Sequence, residues 1–270
     1  MTLITAPGAA GGNTGSEPVR PAPIPSGAID ALRAGTRVTV LTGSGISAES
    51  GVPTFREAQT GLWAKFRPEE LATQAAFQRN PRLVWQWYNW RREMIAAARP
   101  NAAHRALVEM ARRIRTFTLI TQNVDGLHQR AGSSPVIELH GNIHRSRCYN
   151  ENVVVSVWEH TPHQPPRCPR CGGLLRPDVV WFEETLPDEA LAYAYKRSEE
   201  CDVFLCVGTS GVVYPAANLP MRAVQTGAVL IVINPDDTAL CQHATYSIRG
   251  FAGDVVPRLA AALKAPEGSG

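Results

Sequence analysis

Short apolar, β-branched runs recur along the chain, and stretches with helical spacing fall between them. Residues 38–41, 116–121, 136–139, 203–207, 229–233 and 245–248 predict strands covered on both faces. Residues 29–34, 101–115, 126–130, 188–200, 216–225 and 254–263 predict helices, with Asn101 as a side-chain cap. Strands alternating with helices predict an α/β fold: a doubly wound, Rossmann-like parallel sheet. Ligands bind such sheets beyond the C-terminal ends of the strands. Gly43, Gln122, His140, Gly208 and Asn234 fall there.

Two stretches break the alternation. Residues 57–98 are aromatic, with Trp63, Phe66, Phe77, Trp85, Trp87 and Trp90, and show no strand signal, so they predict a helical insertion. Residues 142–180 are dense in proline, histidine and cysteine and predict a small zinc-ribbon-like module. Residues 1–26, rich in Ala, Gly and Pro, predict a disordered tail. The Rossmann-like domain then comprises residues 27–56, 99–141 and 181–264.

Composition narrows the class. The 270 residues are 44% hydrophobic, enough for a packed core, and the net charge of +3 argues for no nucleic-acid partner. No apolar run reaches membrane-spanning length, and residues 1–7 lack the features of a signal peptide, so a soluble, cytoplasmic protein with no membrane partner is expected. Of the six cysteines, Cys201, Cys206 and Cys241 read as inert thiols beside strands.

The central stretch, residues 38–56, reads V-T-V-L-T-G-S-G-I-S-A-E-S-G-V-P-T-F-R. Gly43, Gly45 and Ala48 fit the dinucleotide pattern G-x-G-x-x-G/A, in which a glycine turn brings backbone close to a phosphate and free helix N–H groups bind it. A hydride-transferring enzyme also needs an acid ending a second strand about 20 residues on. Residues 60–70 read as loop and helix, and the turn runs instead into Pro53, Phe55 and Arg56. That suits chemistry on the nicotinamide ribose itself.

The stretch resembles the signature of the sirtuins, NAD-dependent protein lysine deacylases, with Ser44 where the family usually has Ala. Further motifs follow in the family's order. Thr121-Gln122-Asn123-Val124-Asp125 resembles T-Q-N-I-D, whose polar side chains hold the nicotinamide ribose and carboxamide; helix capping alone would explain Asp125 but not Gln122 and Asn123. His140, after an apolar strand and before Gly141, matches the catalytic histidine, and a near-neutral imidazole suits a general base for a ribose hydroxyl. His144 is close by, but nothing in the sequence places it at the ligand edge, and His104 and His128 have plain helix or loop readings.

The resemblance implies catalytic roles for His140, Asn123 and Asp125. It implies NAD contacts at Gly43, Ser44, Gly45, Ser47, Phe55, Arg56, Trp63, Gln122, Asn123, Val124 and Asp125. Later NAD contacts are Gly208, Thr209, Ser210, Asn234, Pro235, Asp236 and Ala252. Residues 176–182, which end in the substrate candidates Val180, Trp181 and Phe182, resemble the segment that pairs with the substrate backbone, as in β-strand addition, and Glu183 replaces a common glycine. An ordinary strand re-entering the large domain explains the same residues.

The metal site is incomplete by pattern. Cys168-Pro169-Arg170-Cys171 is half of a zinc ribbon and Cys148 precedes it, but the position three after Cys148 is Glu151. Glu151, His160 or His163 can supply a fourth zinc ligand, or packing alone holds the module.

Tyr88 and Arg91 match the Y-x-x-R pair of the sirtuin subclass acting on acidic acyl-lysines, and Ala72 falls at its pocket-widening position. Positions three apart share a helix face, and a guanidinium pairs a carboxylate through two bonds. Amphipathic packing with a solvated Arg91 is the plain alternative. The resemblance implies transfer of a succinyl, malonyl or acetyl group from lysine to ADP-ribose, with release of nicotinamide. Acyl-lysine proteins or peptides are the expected partners. A mono-ADP-ribosyltransferase would need no Tyr88–Arg91 pocket, and a non-catalytic NAD-binding module would need no base at position 140.

Overall fold

The computed structural model describes residues 23–53, 65–158, 161 and 163–264. Helix α1 (Ser26–Ala34) leads into β1 (Arg37–Thr42), and the one-turn helix α2 (Gly45–Ala48) follows the first glycine turn. Three helices occupy the aromatic stretch: α3 (Pro68–Leu71), α4 (Gln74–Arg79) and α5 (Pro81–Ala97). Helix α6 (Ala102–Ala111), β2 (Thr116–Thr121), α7 (Leu127–Ala131) and β3 (Val136–Glu138) complete the first half. A second sheet interrupts here, made of β4 (Gly141–Cys148), β5 (Val154–Val155) and β6 (Leu175–Val179). The chain then returns through α8 (Asp188–Glu200), β7 (Val203–Val207), α9 (Asn218–Gln225), β8 (Val229–Asn234), β9 (Tyr246–Arg249) and α10 (Ala252–Ala262).

The large sheet has strand order β3-β2-β1-β7-β8-β9, and every neighbouring pair is parallel. The order reverses between β1 and β7, so the crevice beyond their C-terminal ends is the topological switch point where ligands bind such sheets. Side chains alternate across the sheet. Val38, Val40, Val203 and Leu205 pack beneath α1, α6 and α10, while Leu41, Ile120, Phe204 and Cys206 pack beneath α8 and α9. Asn101 caps α6 as expected, accepting from the N–H groups of Ala103 and His104.

The three-stranded sheet is antiparallel, in the order β5-β4-β6. Strand β6 pairs with β4 and not with the large sheet, as the alternative of an ordinary strand re-entering the large domain would have it. Strand β4, G-N-I-H-R-S-R-C, gave no apolar signal because Arg145 and Arg147 reach across to the buried Asp178 on β6. Helices α3–α5 share a core with this sheet, in which Phe77, Trp87 and Tyr88 meet Ile143, Val179 and Trp181. The tail expected over 1–26 lies outside the described residues as far as position 22, and Ser26 already opens α1.

Candidate active site

The first glycine turn packs backbone to backbone against the turn after β7. Gly43 N–H donates to the Val207 carbonyl at 3.1 Å, and Gly45 N–H to the Gly208 carbonyl at 2.9 Å. A Cβ on Gly43 would lie 2.7 Å from that Gly208 oxygen, and one on Gly45 2.7 Å from Gly208 Cα. These glycines are therefore required for two turns to touch at the switch point. The N–H groups of Ile46 and Ser47 bond to Gly43 and Ser44 carbonyls, so the amides of α2 are engaged within the turns, not left free as the pattern implies. Ser44 is exposed at the lip.

Polar residues at the end of β2 bind this turn. Asn123 Nδ2 donates to the Gly43 carbonyl at 3.0 Å and to Ser47 Oγ at 3.1 Å. Ser47 Oγ donates to the buried Asp125 Oδ2 at 2.7 Å, and Asp125 Oδ1 accepts from Leu127 N–H at 2.8 Å. Burial raises the Asp125 carboxyl against the pull of those two bonds. Asp125 thus holds the first N–H of α7 from one residue before its Gly126 cap, and joins the same carboxylate to the signature turn through Ser47. Gln122 Nε2 donates to Thr209 Oγ1 at 2.9 Å, tying β2 to the turn after β7.

His140 follows β3. Its Nδ1 lies 2.8 Å from the Gln122 carbonyl, which can only accept, so Nδ1 carries the proton and Nε2 is the basic nitrogen. Nε2 has no partner among the described residues. Burial lowers its pKa from 6.5, so the imidazole is neutral at pH 7, the form a general base requires.

Three consecutive residues after β6 join the remaining candidates. Val180 N–H donates to the His140 carbonyl at 2.9 Å, Trp181 Nε1 to Tyr88 Oη at 3.1 Å, and Phe182 N–H to the Ala72 carbonyl at 2.9 Å. Trp181 N–H donates to Glu184 Oε2 at 2.8 Å. All three main-chain donors are engaged, so a substrate backbone pairing here meets only their carbonyls. Tyr88 and Arg91 are buried on α5, which corrects the solvated-arginine alternative. Burial pushes the Tyr88 phenol up to about 12 and lowers Arg91, with Tyr88 and Asp125 pulling Arg91 back. A small cavity beside Arg91 is lined by Val52, Pro53, Met94 and Ile95.

On the far side of the switch point, Asn234 Nδ2 donates to the Asp236 carbonyl, Arg249 bonds the Pro235 carbonyl, and Glu49 accepts from Gly253 N–H next to Ala252. Ser210 is exposed beside Thr209, and Val124 is half-buried in the β2 loop. Phe55, Arg56 and Trp63 lie outside the described residues.

Sequence reasoning missed two participants. Asn101 Nδ2 donates to the Ile46 carbonyl at 2.7 Å and to Ser50 Oγ, so the cap of α6 also holds the signature turn. His144 Nε2 lies 3.1 Å from the Asp125 carbonyl, at the ligand edge. Nothing in its sequence signals this: His140 lies in the turn before β4, and Gly141, with φ of 78°, separates it from the strand that carries His144. His128 bonds Thr42 Oγ1 at 2.9 Å and packs against His104 with the rings tilted by 56°; burial holds these imidazoles down at about 3 and about 4, as neutral core residues.

The cysteine cluster lies on the small sheet. One ligand atom each from Cys148, Glu151, Cys168 and Cys171 falls within 4.8 Å of all the others. The Cys148 and Cys171 sulfurs lie 3.4 Å apart, and Glu151 N–H donates to the Cys148 sulfur at 3.5 Å. Three sulfurs and one carboxylate fit a closed, structural zinc site. His163 is exposed outside the cluster, and His160 lies outside the described residues.

Residues 43–215 match the family model described as the Sir2 family. The chain belongs to the Sir2 family. It is 53% identical over 238 residues to an "NAD-dependent protein deacylase" of Aquifex aeolicus, covering 86% of this chain and 97% of that one. A protein of the same name from Ralstonia nicotianae is 52% identical, covering 85% and 93%. Among solved structures, a Sir2 homologue–NAD complex superposes with a TM-score of 0.84 at 46% identity, covering 89% of this chain and 94% of that one. Sir2Af2 bound to a myristoylated histone peptide superposes with a TM-score of 0.70 at 34% identity, covering 88% and 94%. No helix among the described residues is long and apolar enough to cross a membrane.

Proposed function

We propose that this protein is an NAD-dependent protein lysine deacylase that favours acidic acyl groups. Segment 180–182 carries the reading: it links the basic histidine, the Tyr88–Arg91 pair and Ala72 through consecutive residues. One site thus combines a base for ribose chemistry with a buried cation for a carboxylate. The names of the relatives support the NAD-dependent deacylase activity, and the Tyr88–Arg91 pair supports the acidic preference.

NAD supplies the ADP-ribose acceptor and the nicotinamide leaving group. Asn123, Asp125 and Ser47 form one hydrogen-bonded unit at the end of β2, suited to fixing a ribose. His140, with its proton on Nδ1, presents Nε2 to take a proton from a ribose hydroxyl. Arg91 and Tyr88 hold a succinyl or malonyl carboxylate that would otherwise be buried unpaired, at prohibitive cost. Cys148, Cys168, Cys171 and Glu151 would hold a zinc ion, which would tie together the small sheet as a closed, structural site. None of the six cysteines forms a disulfide, which supports a reducing compartment such as the cytoplasm.

Incubation with NAD and acetyl-, malonyl- and succinyl-lysine peptides tests the proposal. Deacylated peptide, nicotinamide and O-acyl-ADP-ribose are expected, with the acidic peptides preferred. ADP-ribose attached to protein would mark a transferase, and NAD binding without turnover a binding module.

A further inference from the structure

We propose that Trp181 is a positioning residue that turns Tyr88 into a hydrogen-bond donor and thereby sets selectivity for acidic acyl groups. This rests on the deacylase reading above and assigns Trp181 a task within it.

The argument begins with proton counting. An indole N–H only donates. Trp181 Nε1 lies 3.1 Å from Tyr88 Oη, so the phenol oxygen accepts there. The phenol's own proton cannot point towards an N–H, so it turns away from Trp181, and there it has no acceptor among the described residues. A carboxylate beside Arg91 is an acceptor of the right kind. Burial keeps the phenol protonated, with its pKa pushed up to about 12, so the proton is present at every working pH.

The indole is itself held on several sides, more firmly than apolar packing needs. The Arg176 guanidinium lies 3.4 Å from the centre of its ring. Arg176 Nη2 donates to Glu184 Oε2 at 2.9 Å and to the Val179 carbonyl at 2.8 Å. Glu184 also accepts from the Trp181 main-chain N–H and from Gln74. Phe77 packs against the ring at 5.4 Å, tilted by 42°. Buried charge pairs cost desolvation, so placing one beside this ring has a purpose if the direction of Nε1 matters. An acetyl group offers the freed phenol proton no carboxylate, so the arrangement discriminates between the substrates.

The test uses the full chain with Trp181→Phe, Tyr88→Phe and the double variant. Dissociation constants for succinyl- and acetyl-lysine peptides are measured by calorimetry, alongside turnover with NAD. Any general loss from the smaller ring cancels in the succinyl-to-acetyl ratio. Trp181→Phe is expected to lower that ratio about five- to tenfold, the worth of one hydrogen bond, and to do nothing further once Tyr88 is Phe. An equal loss on both peptides overturns the proposal, leaving Trp181 as packing. An undiminished effect in the Tyr88→Phe background overturns it too, because Trp181 would not be acting through the phenol. Should Trp181→Phe fail to fold, 3-benzothienylalanine at position 181 keeps the bicyclic shape and removes only the N–H. Wild-type protein that binds succinyl-peptide selectively without turning it over would refute the deacylase reading while the binding ratios still decide the role of Trp181.

Discussion

The six-stranded sheet and the three-stranded sheet are stabilised in different ways. Beneath the large sheet, two apolar clusters pack on opposite faces, so its polar strand-end residues are not needed to hold it together. Beneath the outer part of the small sheet, the buried cluster among the described residues is Cys148, Val155, Cys168 and Leu175. There the polar groups are structural: Arg145 and Arg147 clamp the buried Asp178, Arg176 pairs Glu184, and the thiols gather around Glu151. The contrast teaches where chemistry can be placed. A residue such as His140 can be tuned at the large sheet's edge at little cost to the fold, whereas a polar change in the small sheet alters the fold first.

The sharpest way to break this comparison is at His140. His140→Ala should lower deacylation by about 10²–10⁴-fold, with melting temperature and NAD affinity nearly unchanged. A large fall in melting temperature would mean the strand end is structural after all. The same residue sets a pH limb. Because burial lowers its pKa below 6.5, the base form persists below the usual histidine range, and kcat/KM should fall only as the pH drops through that lowered value. A limb above 6.5 would contradict the assignment.

Arg91 tests where the two regions meet. Arg91→Met keeps the apolar stem and removes the charge, so succinyl-lysine should lose about 1.5–3 kcal/mol, chiefly as a raised KM. Acetyl-lysine should be affected far less; a parallel fall on both would make Arg91 structural. Next in size is the metal. Glu151→Ala should weaken zinc retention about tenfold or more, read by a chelator competition. It should lower the stability of the small sheet while leaving the large sheet's amide-exchange protection intact. Zinc retention unchanged by the substitution would remove Glu151 from the ligand set.

Legibility in the sequence followed the same divide. The parallel strands were readable because burial on both faces demands unbroken β-branched runs, so β2 and β7 fall at the expected bounds. The partners of those strand ends were less readable. Nothing local says that Gly43 packs on Gly208, that Asn101 reaches Ile46, or that Trp181 reaches Tyr88, since each contact joins distant segments. Strand β4 was unreadable because its stability comes from cross-strand charge, which looks like loop. Nor does the sequence choose between Glu151, His160 and His163 as a fourth metal donor; of the two that are described, folding brings Glu151 to the thiols and leaves His163 outside.

The smallest effect sharpens the comparison at one backbone angle. Glu183 follows the segment 180–182 and adopts φ of 69°, in the left-handed region that favours glycine. Its side chain is exposed and makes no hydrogen bond or ion pair among the described residues. An L-residue there costs about 1–2 kcal/mol, and a glycine returns part of this as added freedom of the unfolded chain. Glu183→Gly should therefore stabilise the protein by about 0.5–1 kcal/mol, a rise in melting temperature of roughly 1–3 °C. Unlike Glu184 beside it, which binds Arg176 and Trp181, Glu183 contributes no contact that its removal would forfeit. Glu184→Gly should destabilise, and the opposite signs at adjacent carboxylates would separate backbone strain from polar anchoring. A lower melting temperature for Glu183→Gly would mean that its carboxylate holds the turn in solution.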